Sequence, residues 1–285
     1  MRDDEPFVVI FEETLKKMYT YNPLRHPIIG YHETLKNINE DSISEFYSYY
    51  KNPKNSFFVI VSDLEIDEIR KKLDELFKNC EISPSYPIVD FKIDEKINTE
   101  KLHLKGKVNK TYMMISYKSP NLLEKHKDIE KTYYFSLMCY ILAGSSYGIF
   151  NRVLKNELKI VDAVNFDVYT TNEIPGIIYF SAITENYNIQ KIIENYLKII
   201  KNLDSYIELD YFEVVKENFF STNLWNFETS SNQGMLIGTN ELFKTYKEAY
   251  TYFCKIDRIT FNDMLEVFYG YVDDKNFLLS IYERQ

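Results

Sequence analysis

The stretch from Ser56 to Phe77 constrains the fold of this chain more than any other. Phe57-Phe58-Val59-Ile60-Val61 is short, β-branched and aromatic, the composition of a buried strand. Ser62 and Asp63 interrupt it, and a helical period follows at once. Ile66, Ile69, Leu73, Leu76 and Phe77 recur at spacings of three and four, so they share one helix face. Glu65, Asp67, Glu68, Arg70, Lys71 and Lys72 take the opposite face. Asp63 stands where an N-cap belongs, with acidic residues in the first turn and basic ones later, as the helix dipole favours. Upstream, Tyr50 to Asn55 forms a turn that feeds the strand. The expected unit is helix, turn, buried strand, helix.

A chain of 285 residues allows one large or two modest domains. The net charge of -9 is spread along it with no Lys/Arg cluster, which argues against a nucleic-acid or anionic-membrane surface. Cys80, Cys139 and Cys254 are widely spaced, odd in number and lack a CxxC pair, which argues against a disulfide framework or a cysteine zinc site. No apolar run approaches the roughly 20 residues that cross a bilayer. Met1 to Glu5 is acidic, without the basic and apolar regions of a signal peptide. These features predict a soluble, cytoplasmic protein.

Taken in order, residues 5–19 read as a helix with Pro6 in its first turn and Phe7, Ile10, Phe11, Thr14, Leu15 and Met18 as its apolar stripe. Pro23 and Pro27 bar a helix through residues 21–30. The next helix runs to about Tyr50, with Asp41 as cap and Ile43, Phe46 and Tyr50 facing inward. Residues 83–101, with Pro84, Pro87 and mixed charges, form the best linker. Leu102–Gly106 and Thr111–Lys118 alternate as strands. A helix over residues 128–142 and a shorter one over 147–158 precede strands at 160–170 and 177–183, joined through 172–176. Helices follow at 189–203, 209–225, 233–243, 247–253 and 260–268, then a last strand at 276–282. The pattern is α+β, with helices packed on one face of mostly antiparallel sheets.

Chemistry is sparse on this frame. His26, His32, His103 and His126 sit in no HxxEH, HxxxH or HExxH pattern. A zinc site from His26, His32 and Glu33 lacks a helix or strand to fix its spacing. Gly144, Ser146 and Gly148 fit G-x-S-x-G, but a nucleophile elbow needs a strand before it, and here a helix precedes. Arg152, on the short helix after that break, reads as a surface residue. Glu12-Glu13 and Asp273-Asp274 read as solvated charges. Residue types and spacing alone give a soluble α+β protein without a visible active site.

The order of the elements carries more information. An acidic-proline helix start at Arg2–Pro6 is followed by Asn22-Pro23-Leu24-Arg25-His26-Pro27-Ile28-Ile29-Gly30. A helix then ends in Phe46-Tyr47-Ser48-Tyr49-Tyr50-Lys51-Asn52-Pro53-Lys54-Asn55, and strand 57–62 with Asp63 closes the passage. This resembles the M16 metallopeptidases, the insulinase, pitrilysin and processing-peptidase family, with Ser62 where the family usually has glycine. Later, Ser119-Pro120 ends a strand and a helix runs into Ile141-Leu142-Ala143-Gly144-Ser145-Ser146, similar to the family's second homologous domain. The resemblance covers essentially the whole chain and rests on collinearity.

The resemblance implies an M16 peptidase-like α/β sandwich with one partial and one complete homologous domain. Residues 1–82 would be the C-terminal part of the first domain, 83–101 the linker and 102–285 the second domain. The family's HxxEH helix binds zinc through two histidines and a downstream glutamate, and the glutamate between the histidines is the general base. None of these is present in this sequence, so catalytic and metal residues are expected to be none here. Zinc is expected in a zinc-bearing partner or in a missing N-terminal segment, the chain starting just after the place of the distal ligand. In active members the second domain holds the peptide backbone through an Arg and a Tyr. Arg152 takes the place of the Arg, and no tyrosine stands near Lys159 where its companion would fall. The implied function is the non-catalytic half of a peptide-enclosing clamshell, acting on an unstructured peptide or small protein. The alternative is a non-proteolytic structural or assembly subunit. A hydrolase built on Gly144–Gly148 is a third reading. If strands are missing, the 57–61 strand should show an open edge or exposed apolar surface.

Overall fold

The computed structural model describes residues 5–80, 100–120, 129–171, 174–225, 227–243 and 245–285. In chain order it contains helices α1 (Pro6–Met18), α2 (His32–Leu35), α3 (Glu40–Tyr50) and α4 (Ile66–Phe77), then strands β1 (Leu102–Gly106) and β2 (Thr111–Lys118). Helix α5 (Ile129–Leu142) and a π-helix (Asn151–Glu157) lead to β3 (Ala163–Tyr169) and β4 (Ile177–Thr184). Helices α6 (Ile189–Lys201), α7 (Leu203–Tyr206), α8 (Leu209–Trp225), α9 (Ser230–Phe243), α10 (Lys247–Asp257) and α11 (Phe261–Tyr269) precede β5 (Leu278–Arg284). The chain divides into two compact units. One takes Met1–Pro27, Phe91–Asn223 and Tyr250–Gln285; the other takes Ile28–Asp90 and Leu224–Ala249. Most of the expected linker, His126 and part of the 172–176 loop lie outside the described residues.

The larger unit is built on a five-stranded sheet of order β1-β5-β2-β4-β3, with β1 parallel to β5 and the other pairs antiparallel. Strands β1 and β2 have the bounds that alternation predicts. The register places Ile115 opposite Phe180 and Met114 opposite Ser181, so the two sheet faces are lined by alternate residues. Helix α1 covers one face. Pro6 opens it, and Ile10, Thr14, Leu15 and Met18 are buried at helical spacing against Met114, Ile177, Tyr179 and Leu278. Each such apolar side chain stabilises the unit by about 1.5–3 kcal/mol. The other face carries an aromatic cluster in which Phe150 packs on Phe166, Phe180 and Tyr196, and Phe268 packs on Phe166. The Tyr196 hydroxyl donates to the Tyr117 hydroxyl at 3.2 Å, which donates to the Asp273 carbonyl at 2.9 Å. Burial is the main cause that raises the pKa of both phenols.

The smaller unit departs from the sequence reading. Phe57–Val61 is extended but belongs to no ladder among the described residues, and it is not buried: Phe58 is 62% and Ile60 47% exposed. Ile43, Phe46 and Tyr50 of α3 are exposed as well, against the expectation that they face inward. The helical period gives these α3 side chains a common face, and that face stays exposed. Of the α4 face, Ile69 and Leu73 are half-buried and Ile66, Leu76 and Phe77 exposed. Two caps also differ. Asn39, not Asp41, caps α3, through a box in which its side chain accepts the Ser42 N–H at 2.9 Å and Ser42 Oγ accepts the Asn39 N–H at 3.0 Å. Helix α4 starts after Glu65, because Ser62 Oγ accepts the Leu64 N–H at 3.1 Å and holds a turn where Asp63 was expected to cap.

Candidate functional site

The site is built on the bend between α5 and the π-helix. A Cβ at Gly144 would lie 2.6 Å from the Tyr140 Cα, and one at Gly148 would lie 2.9 Å from the Leu142 carbonyl oxygen. Only glycine lets the chain fold back this closely. Asn151 latches the bend, its amide donating to the Ala143 carbonyl at 3.2 Å and the Ser145 carbonyl at 2.9 Å. Ser145 Oγ accepts the Tyr147 N–H at 3.2 Å. The following segment is a π-helix, wider than the α-helix expected there. Val153 and Leu154 are buried and anchor it. It closes at Lys159, the single non-glycine residue with positive φ, at 52°, among the described residues.

This scaffold presents Arg152 outward. Its N–H donates to the Gly148 carbonyl at 2.8 Å, and its side chain is exposed. Tyr211 of α8 lies within electrostatic reach. Burial raises the pKa of the Tyr211 phenol, and the Arg152 charge opposes that rise. The Tyr211 hydroxyl donates to the Tyr147 carbonyl at 3.4 Å, while the Tyr147 ring is 78% exposed. An exposed guanidinium near a tyrosine can donate to peptide carbonyls or a terminal carboxylate beside an aromatic ring. The sequence placed no tyrosine near Lys159. Tyr211 of α8 is a tyrosine whose phenol feels the Arg152 charge, and the helical pattern of α8 carried no signal of that proximity.

The remaining candidates do not join this site. Ser146 is exposed in the bend after α5, and among the described residues no hydrogen bond links it to a histidine. His103 on β1 pairs with Glu283 at 2.9 Å. His26 and His32 fall in different compact units. Among the described residues, no group of three or more His, Cys, Asp or Glu could hold a metal ion. The described side chains therefore do not fit zinc. Cys139 is half-buried and desolvation pushes its thiol well up, which disfavours the nucleophilic thiolate. Open cavities lie on both sides of the larger unit's described elements. One of about 210 Å³ lies on the α1 side of the sheet, beside Phe7, Tyr112, Asn165 and Ser181. One of about 540 Å³ lies between α8 and α10, beside Lys216, Phe220, Phe253 and Cys254. No described helix is long and apolar enough to cross a membrane.

The fold and sequence have relatives. The family model for the peptidase M16 inactive domain matches residues 37–219. The zinc protease PqqE of Helicobacter pylori is 28% identical over 130 residues, 44% of this chain and 29% of that protein. An uncharacterized zinc protease of Rickettsia bellii is 26% identical over 76 residues, 27% of this chain and 18% of that protein. The matched segments thus span less than a third of either curated relative. Among solved structures, a protease from Helicobacter pylori superposes with TM-score 0.83 at 18% identity, covering 99% of this chain and 67% of that one. A peptidase M16 inactive domain from Pseudomonas fluorescens gives 0.84 at 11%, covering 100% and 66%. A chain of Complex III2 from Candida albicans gives 0.74 at 16%, covering 99% and 67%. The M16-like fold implied by the order of elements is the fold observed, and the chain belongs to the peptidase M16 inactive-domain family.

Proposed function

We propose that this chain is the non-catalytic, peptide-enclosing half of an M16-type peptidase. Its zinc chemistry would come from another polypeptide segment or a zinc-bearing M16 partner. In this reading, residues 1–82 and 102–285 correspond to one partial and one complete homologous domain joined by 83–101, and the protein works in the cytoplasm. The observation that carries the reading is the exposed Arg152 with Tyr211 and Tyr147, on a fold of the inactive-domain family. A cation and aromatic rings without a nucleophile–base pair suit holding a peptide rather than cutting it. The substrate class is an unstructured peptide or small protein, bound through backbone carbonyls or a C-terminal carboxylate. Mixing the full chain with a zinc-loaded HxxEH polypeptide tests this. The proposal requires that cleavage of an unstructured peptide rise when the chain is added. No change on addition would count against it.

A second reading is a structural or assembly subunit without proteolytic role. The similarity to a chain of Complex III2 favours it. A stable complex lacking any HxxEH subunit would support that reading over the first.

A further inference from the structure

The cavity of about 540 Å³ between α8 and α10 lies wholly within the larger unit, and its volume is that of a small-molecule site. Each helix offers it residues at spacings of three and four: Glu217, Phe220 and Ser221 from α8, and Phe253, Ile256 and Asp257 from α10. The Phe220 and Phe253 rings meet edge to face, 5.0 Å apart at 68°, and with buried Ile256 they give the cavity an apolar wall. The charged groups around it differ in what they have left to bind. Lys216 is committed within the protein. Its ammonium donates to the Asp257 carbonyl at 3.1 Å and the Ile259 carbonyl at 3.4 Å, pairs with Glu213 at 3.1 Å and lies 5.5 Å from the centre of the Phe212 ring. Three oxygens thus match its three N–H donors. Glu217 and Asp257 are exposed, and among the described residues neither carboxylate has a hydrogen-bond or ion-pair partner.

We propose that this cavity binds a small organic cation, a molecule with a ring-sized apolar body and an ammonium group. The apolar body lies against Phe220 and Phe253. The ammonium meets the Glu217 and Asp257 carboxylates at the rim, and the rings add a cation–π attraction. The state of Lys216 decides the sign of the ligand. An anion would have to draw that ammonium away from the carbonyls joining α8 to the end of α10, while facing two carboxylates. A neutral apolar molecule would cover the carboxylates without giving them a partner. The net charge of -9 adds a long-range attraction for a cation. Neither Arg152 nor Tyr211 lines the cavity, so the inference stands apart from the proposed peptide site. Cys254 is exposed and lines the same cavity, which makes its thiol a reporter of occupancy.

Fluorescence titration of the full chain with monodansylcadaverine tests this. That probe carries a dansyl ring on an aliphatic ammonium tail, and dansyl-aminohexanoate, with the same ring on a carboxylate tail, is the comparison. The expected result is saturable binding of the cation with a Kd about tenfold or more below that of the anion. Glu217→Gln combined with Asp257→Asn should remove that difference and leave the circular dichroism spectrum unchanged, since both side chains are exposed. Ser221→Trp should fill the recess and weaken both dyes. Alkylation by iodoacetamide, read by mass spectrometry, locates the site. The cationic dye at about ten times its Kd should slow modification of Cys254 about fivefold or more and leave Cys80 unchanged. Absence of saturable binding, or equal or tighter binding of the anionic dye, would overturn the proposal. Binding that leaves Cys254 alkylation unchanged would also overturn it, because the cation would then sit elsewhere. A charge preference that survives the double substitution would do the same.

Discussion

Thr14 on α1 donates a 2.8 Å hydrogen bond to Ser280 on β5, joining fully buried side chains 266 positions apart in the sequence. The bond fixes the helix over the centre of the sheet, since Ser280 lies opposite Met114 of β2 and Leu102 of β1. Thr14→Val keeps the shape and leaves the Ser280 hydroxyl without this donor. Chemical denaturation should show a loss of about 1–3 kcal/mol. Adding Ser280→Ala should cost less than the sum of the two single changes, because both remove the same bond.

Lys159 ends the π-helix at φ 52°, in the left-handed region. A β-branched side chain is poorly tolerated there, so Lys159→Val should destabilise the protein by about 1–2 kcal/mol. Lys159→Gly should lose nothing and raise the melting temperature if it changes it at all. Thermal melts of the two variants separate backbone strain from any contact of the lysine side chain.

The buried tyrosines set an alkaline limit. Burial pushes Tyr252 up to about 12, and it also raises Tyr117 and Tyr196. The folded state therefore holds these protons more tightly than the unfolded state does, and stability falls as pH rises. The contribution from Tyr252 is complete below about pH 10 and is lost between about 10 and 12. Phenolate absorbance should show these tyrosines ionising only with unfolding. Tyr252→Phe should flatten the decline over that window.

Arg152 is exposed, so Arg152→Ala should leave the melting temperature unchanged. In a reconstituted peptidase it should lower kcat/KM about tenfold, chiefly through KM, since a charge-assisted hydrogen bond to the peptide is lost. Arg152→Lys should recover part of the loss, lacking the planar fork. Tyr211→Phe should weaken binding less, because its hydroxyl is directed to the Tyr147 carbonyl.

How much was legible in the sequence differs between the units for a physical reason. In the larger unit, the alternation of Thr111–Lys118 and the stripe Ile10, Thr14, Leu15, Met18 found partners within the same chain, so pattern and burial agree. In the smaller unit, Phe57–Val61 and the Ile43–Phe46–Tyr50 stripe have the right period, yet Phe57, Phe58, Ile60 and the stripe stay exposed. Period tells which side chains share a face, not what covers that face. Caps failed for a similar reason. Asn39 outcompeted Asp41 because the capping residue must itself leave helical geometry, which spacing does not reveal. The order of elements proposes Arg152, whereas the proximity of Tyr211 to its charge follows only from the packing of α8.

The account turns on whether this chain carries peptidase chemistry by itself. The most direct measurement is cleavage of an unstructured fluorogenic peptide by the purified full chain, with zinc added and then removed by chelator. The account predicts no chelator-sensitive cleavage by the chain alone. Chelator-sensitive cleavage that co-purifies with the chain at a constant specific activity would contradict it.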